Sequence, residues 1–248
     1  MGAQFTDDEI ERYARHLVLR EVGGPGQQKL KAATVLIVGA GGLGAPAVLY
    51  LAAAGVGSIR IVDPDVVDLS NLQRQIIYAG ADRGRSKVDA SAERLQGLNS
   101  NVAVTALNRA FDDTTADALL GGVDLVLDGT DNFAVRFSVN AACVRHGVPL
   151  VSGAIGRWTG QVGVFGRKPC YRCLVPEIPP DAETCAAVGV IGALAGVIGS
   201  MMALEAIKLI TGAGETLSGR LLIYDALAAE TRTVRVAGDP DCPVCGQA

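Results

Sequence analysis

Two C-x-x-C pairs, Cys170/Cys173 and Cys242/Cys245, are the groups whose spacing points most directly to chemistry. Four thiolates brought together close a tetrahedral site of the structural zinc type, which leaves no coordination position open for catalysis. Such a site would tie the C-terminal tail to the middle of the chain. Two redox pairs or two disulfides are the alternatives, and a reducing compartment disfavours both. Of the six cysteines, Cys143 and Cys185 remain. Cys143, in NAACVRHG, reads as a small apolar core residue. Cys185 follows a proline-containing loop in the polar setting DAETC, ahead of a glycine-rich apolar segment whose helix N-terminus would lower a thiol pKa. An ordinary loop thiol is its other reading.

A second pattern concerns phosphate. Gly39, Gly41 and Gly44 form G-x-G-x-x-G between a predicted strand and a predicted helix, where glycines let the backbone approach phosphates at the helix N-terminus. Asp63 ends the next strand and suits a ribose hydroxyl. This much fits NAD as well as ATP. Asn71, Arg74 and Lys87 then add a polar donor and two cations, which suit a triphosphate better than a dinucleotide. Asp131, in DGTDN at the end of another strand, offers a carboxylate for magnesium. Each residue taken singly has a plainer reading: Arg74 and Lys87 as solvated surface charges, Asp131 as a helix N-cap.

The elements that must position these groups follow from periodicity. Thr6 and Glu9 make a capping box for an amphipathic helix over 7–20, which a loop at GGPG (23–26) ends. TVLIVG, a glycine turn, a helix over 43–54 and SIRIVD (58–63) read as a βαβ unit. A helix near 86–98, strands at 102–107 and 124–129 and a helix near 132–146 continue the alternation, which implies a parallel sheet covered by helices. After Pro149, PLVSGAI and GQVGVFG read as neighbouring strands of an added mixed sheet. The expected fold is α/β: a Rossmann-like, doubly wound, largely parallel sheet extended by antiparallel strands in the C-terminal half. Ala186 to Leu204 carries no charge and is long enough to span a bilayer, but its Gly and Ala content and lack of aromatic anchors favour a helix buried against a sheet or a partner subunit. Residues 174–188, with three prolines, read as a mobile loop.

Composition limits the function classes. A 49% hydrophobic content is compatible with one large core, and a net charge of -4 gives no general reason to bind nucleic acid. The charged first stretch lacks the apolar core of a secretory signal, so a cytoplasmic protein without a membrane span is expected. His16 and His146 suggest no Ser-His or Cys-His pair; Trp158 reads as packing, and Arg136, five residues beyond Asp131, as a support for the site or, the commoner case, a solvated surface charge.

Taken together, GAGGLG (39–44), D-x-D (63–65), SNLQRQ (70–75), SK (86–87), DGTDN (128–132), CYRC (170–173) and CPVCG (242–246) resemble the MoeB/ThiF family of ubiquitin-activating-enzyme-like adenylyltransferases along nearly the whole chain. The resemblance implies one unit over 1–248, with a helical arm (1–32), nucleotide-binding βα units (33–150) and a carrier- and zinc-binding part (151–248). It implies that Gly39, Gly41, Gly42, Gly44, Asp63, Asn71, Arg74, Lys87, Asp131 and Asn132 contact ATP or its magnesium. Arg15, in RYARH, would reach the phosphates from the other subunit of a homodimer, and Cys185 would form a covalent link. The partner would be a small ubiquitin-like sulfur-carrier protein ending in Gly-Gly, with a separate sulfur donor. RYARHLVLRE and SNLQRQ favour the molybdopterin branch over the thiamin branch. An NAD-dependent oxidoreductase and a non-catalytic nucleotide-sensing or zinc-dependent scaffold are the rival classes.

Overall fold

A computed structural model of the chain describes residues 5–178 and 189–246. Its centre is one eight-stranded sheet in the order β3-β2-β1-β4-β5-β6-β7-β8. The strands are β1 (Thr34–Val38), β2 (Ser58–Val62), β3 (Ala103–Leu107), β4 (Leu125–Asp128), β5 (Leu150–Gly156), β6 (Thr159–Phe165), β7 (Arg220–Asp225) and β8 (Glu230–Arg235). β1 to β5 run parallel; β6, β7 and β8 join antiparallel. This is the mixed sheet expected from the sequence.

Both faces of the central strands are covered, so they read as unbroken apolar runs. Side chains of a strand alternate between faces, and the two cores divide accordingly. Val35 and Ile37 pack into one cluster with Ile59, Ile61 and Leu127, whereas Leu36 and Val38 pack into the other with Val62 and Phe165. α4 (Gly44–Ala53), α5 (Lys87–Leu98) and α9 (Gly192–Thr211) lie over the first face. α6 (Ala116–Leu120), α7 (Phe133–His146) and α8 (Tyr171–Leu174) cover the second.

α9 is the one described helix long and apolar enough to cross a membrane by length and composition. It lies on β5, β6 and α4, and it starts later than the sequence pattern suggested. Glycines allow the close approach. A methyl at Gly199 would overlap Pro46, one at Gly160 would overlap Ile198, and one at Gly153 would overlap Met202.

The N-terminal arm departs from expectation. Thr6 and Glu9 do form the capping box, but the helix breaks at Tyr13 into α1 (Asp7–Arg12) and α2 (Ala14–Leu17). GGPG, expected as a loop, instead opens a further helix, α3 (Gly23–Ala32). Pro25 is tolerated because N–H groups in a first helical turn have no intrahelical acceptor. Burial of Leu30 and Gln27 against neighbouring helices outweighs the poor helix propensity of the three glycines.

Candidate nucleotide site and cysteine centre

The strand order reverses between β1 and β4, and parallel sheets leave a crevice at the carboxyl ends of the strands at such a point. Here that crevice is a cavity of about 640 Å³. Two turns frame it: residues 39–44 after β1 and 129–132 after β4.

Glycines bring these turns into contact. Gly39 has φ +89°, and a side chain there would also press within 3.1 Å of Thr130. A methyl on Gly44 would overlap the carbonyl oxygen of Gly39. One on Gly129 would approach Leu43 to 3.0 Å. Gly41 and Gly42 have more room and line the cavity. The four glycines of GAGGLG thus divide into two that shape the turn and two that present it.

Each turn is gripped by buried side chains. Ala40 donates its N–H to Asp63 Oδ2 at 2.7 Å, and its carbonyl accepts from the Tyr78 hydroxyl at 2.8 Å. Burial pushes the Tyr78 phenol well above its ordinary range, so it stays a donor at any working pH. The other oxygen of Asp63 accepts from the Asp65 N–H at 2.8 Å. Across the crevice, Thr130 is held through its N–H and hydroxyl by Asp128 Oδ1, at 3.0 and 2.7 Å, and through its carbonyl by Arg136.

Asn71, Arg74, Lys87, Asp131 and Asn132 also line this cavity. Lys87 opens α5 behind Ser86, whose hydroxyl accepts the Asp89 N–H. Its side chain is buried, not solvated, and its ammonium lies 2.8 Å from Asp65 Oδ2. Arg74 is half-buried and donates to the Ser70 carbonyl at 3.0 Å. Asn71 accepts the Asp68 N–H at 3.1 Å in a capping box. The cap of α7 is Asn132, whose Oδ1 accepts from Ala134 and Val135 at 2.9 and 3.2 Å. Asp131 is therefore not the cap, and its exposed carboxylate stands at the cavity.

Two side chains differ from their sequence reading. Arg136 is 5% exposed and lines the cavity, because α7 turns it inward between β4 and β5. Trp158 is 43% exposed, because it stands in the turn between β5 and β6 beyond the helical cover. Cys143 is buried in the core as expected. Arg15 is exposed on α2 and does not line the cavity of its own chain. Cys185 and most of the 174–188 loop lie outside the described residues.

The four C-x-x-C sulfurs converge, all lying within 4.8 Å of one another. Cys170 and Cys242 sulfurs are 3.7 Å apart, Cys173 and Cys245 sulfurs 3.3 Å apart. Both separations exceed a disulfide bond and approach the ~3.8 Å edge of a tetrahedron built with 2.3 Å zinc–sulfur bonds. Asn140 donates to the Cys170 sulfur at 3.5 Å and the Asp239 N–H to the Cys173 sulfur at 3.4 Å. Burial pushes the Cys170 and Cys245 thiols up, so a cation at the centre is what would hold them as thiolates. The donor set fits a closed structural zinc ion.

The ThiF family profile matches residues 13–244. The chain belongs to the ThiF family. Full-length relatives include the molybdopterin-synthase adenylyltransferase of Escherichia coli, 46% identical over 99% of this chain and 100% of its own length. The sulfur carrier protein adenylyltransferase of Thermus thermophilus is 46% identical over 98% of this chain and 93% of its own. The SAMP-activating enzyme E1 of Haloferax volcanii is 45% identical over 100% and 93%. Among solved structures, E. coli MccB with MccA-N7isoASN superposes at a TM-score of 0.83 and 24% identity, covering 98% of this chain and 76% of that one. That last likeness is one of fold.

Proposed function

We propose that this ThiF-family chain adenylates the C-terminal glycine of a small ubiquitin-like sulfur-carrier protein with ATP, releasing pyrophosphate and leaving an acyl-adenylate for a separate sulfur donor. The observation that carries the reading is the convergence of the glycine turn, Arg74, Lys87 and Asp131 on one cavity at the strand-order reversal. The names of the full-length relatives support it. An NAD-dependent hydride transfer would share the glycine turn and Asp63 but leave the two cations without work.

In this reading ATP lies over Gly41 and Gly42, with the ribose beside Asp63 and Asn71. Lys87 leaves Asp65 for the phosphates, an exchange of one anionic partner for another. Arg74 and the partner subunit's Arg15 add positive charge beside the oxygens of the transferred α-phosphoryl group and of the departing pyrophosphate, where negative charge builds. The carrier's terminal carboxylate attacks the α-phosphate and needs no general base, since it is already ionised at neutral pH. Asp131 would hold magnesium, which when bound neutralises phosphate charge. Zinc on the four cysteines would be structural. The apolar lining from Phe111, Phe133, Val135 and Ile155 would limit water around the adenylate.

Identity does not rank the carriers, since relatives of differently named function lie at 45% and 46%. RYARHLVLRE and SNLQRQ favour the molybdopterin branch. ATP–pyrophosphate exchange, measured with and without each small carrier ending in Gly-Gly, tests both points. Carrier-dependent exchange is expected, and Arg74→Ala or Asp131→Ala should lower it at least ~100-fold with the melting temperature kept. Bound ATP without exchange under any carrier would identify a nucleotide-sensing scaffold instead.

A further inference from the structure

Asp128 ends β4 with only 1% exposure. Its Oδ1 accepts both the N–H and the hydroxyl of Thr130, while its Oδ2 is sealed from solvent without a hydrogen-bond partner among the described residues. A carboxylate in that state needs a neighbouring cation. Arg136 supplies it from α7. Its Nη2 donates to the carbonyls of Thr130 and of Gly153, the latter at 2.7 Å, and its Nη1 reaches Ser152 Oγ at 3.4 Å and the Tyr171 hydroxyl at 3.5 Å. Burial opposes the charged guanidinium, and Asp128, Tyr171 and Asp131 together more than restore it, Asp128 contributing most.

Thr130 is thus fixed at all three of its polar groups, and the next residue is Asp131. One helical turn beyond Arg136, Asn140 accepts the Tyr171 N–H at 2.7 Å and touches the Cys170 sulfur. The helix that carries Arg136 is therefore pinned to the cysteine centre, and Arg136 has little freedom to follow Asp131 if the turn shifts.

We propose that Arg136 is a positioning residue: with Asp128 it fixes the Thr130–Asp131 peptide and so sets where the Asp131 carboxylate stands during adenylation. This rests on the reading of Asp131 given above. Arg136→Lys keeps the charge but loses the planar guanidinium, whose Nη2 serves the two carbonyls while Nη1 reaches Ser152 and Tyr171 and so fixes its orientation. Thr130→Val removes the hydroxyl bond to Asp128 and keeps the shape. Each should lower kcat of carrier-dependent exchange about tenfold while KM for ATP stays within about twofold. The melting temperature should stay within about 3 °C, so the loss is not one of folding. Repeated in an Asp131→Asn background, each should cost less than about twofold more, because groups that act through one another are not additive. A full tenfold loss in that background, or a loss carried by KM for ATP or by melting, would overturn the proposal. If Asp131→Asn impairs exchange and neither other variant does, this inference alone fails. If Asp131→Asn turns over normally, the reading of Asp131 fails and the inference goes with it.

Discussion

Gly41 and Gly44 sit three residues apart in GAGGLG, and their surroundings give them different work. A methyl at Gly44 has nowhere to go, because the Gly39 carbonyl occupies its place. A methyl at Gly41 would meet nothing closer than the Gln75 amide at 3.8 Å, an ordinary contact, but it would stand in the cavity. Gly44→Ala should therefore cost about 3 kcal/mol or more of stability, read as a fall in melting temperature. Gly41→Ala should melt within about 2 °C of the parent yet weaken ATP binding about tenfold or more, read by titration calorimetry. The reverse pattern would mean that the turn, not the phosphate, fixes the choice of glycine at 41. Both glycines were legible in the sequence as a motif, but their division of labour was not. Tyr78 was not legible at all: it bonds to Ala40 from 38 residues away.

At the scale of elements, the cysteine centre joins α8 to the tail beyond β8. Cys170 and Cys173 come from the start and body of α8, and Cys242 and Cys245 from a turn region that ends the described chain. Beyond the cysteines, the described tail packs Val244 into the cluster that holds Val144, and it donates the Val236 N–H to the Gly219 carbonyl. About one zinc per chain is expected by elemental analysis, lost in Cys242→Ser, with a fall of roughly 5–10 °C in melting temperature and faster proteolysis beyond residue 236. An unchanged melting profile after metal removal would show that the tail is held by packing alone. The cysteine spacing made this centre readable without coordinates. The helix α3 was not readable, because local propensity argued against it and only burial of Leu30 and Gln27 decided for it. β7 and β8 were likewise missed: every residue of β8 is exposed, so the strand has no apolar alternation to announce it.

At the scale of the whole molecule, the placement of Arg15 matters most. It is exposed on α2 and absent from its own chain's cavity, although family resemblance gives it a role at the phosphates. On the proposed reading, Arg15 would come from a partner subunit. Arg15→Ala and Arg74→Ala should each be inactive alone; co-expressed in equal amounts they should recover about a quarter of parental exchange, because half the dimers then hold one intact composite site. No recovery would place Arg15 in its own subunit's site or outside catalysis. The sheet makes the same point about scale. Asn71, Arg74 and Lys87 come from the region after β2, and Asp131 from the turn after β4; they share a cavity only because β4 lies beside β1, on the side away from β2.

The sequence by itself determined the βαβ alternation, the glycine turn, the four-cysteine set and the family, since each is a short-range pattern of residue type and spacing. Only the tertiary structure decided that Lys87 is a buried cation paired with Asp65, that Asn132 rather than Asp131 caps α7, and that Arg136 faces inward to Asp128 and Thr130. Burial and pairing depend on which distant segment packs against a residue, and a charge looks the same in a one-letter code whether it faces water or a carboxylate.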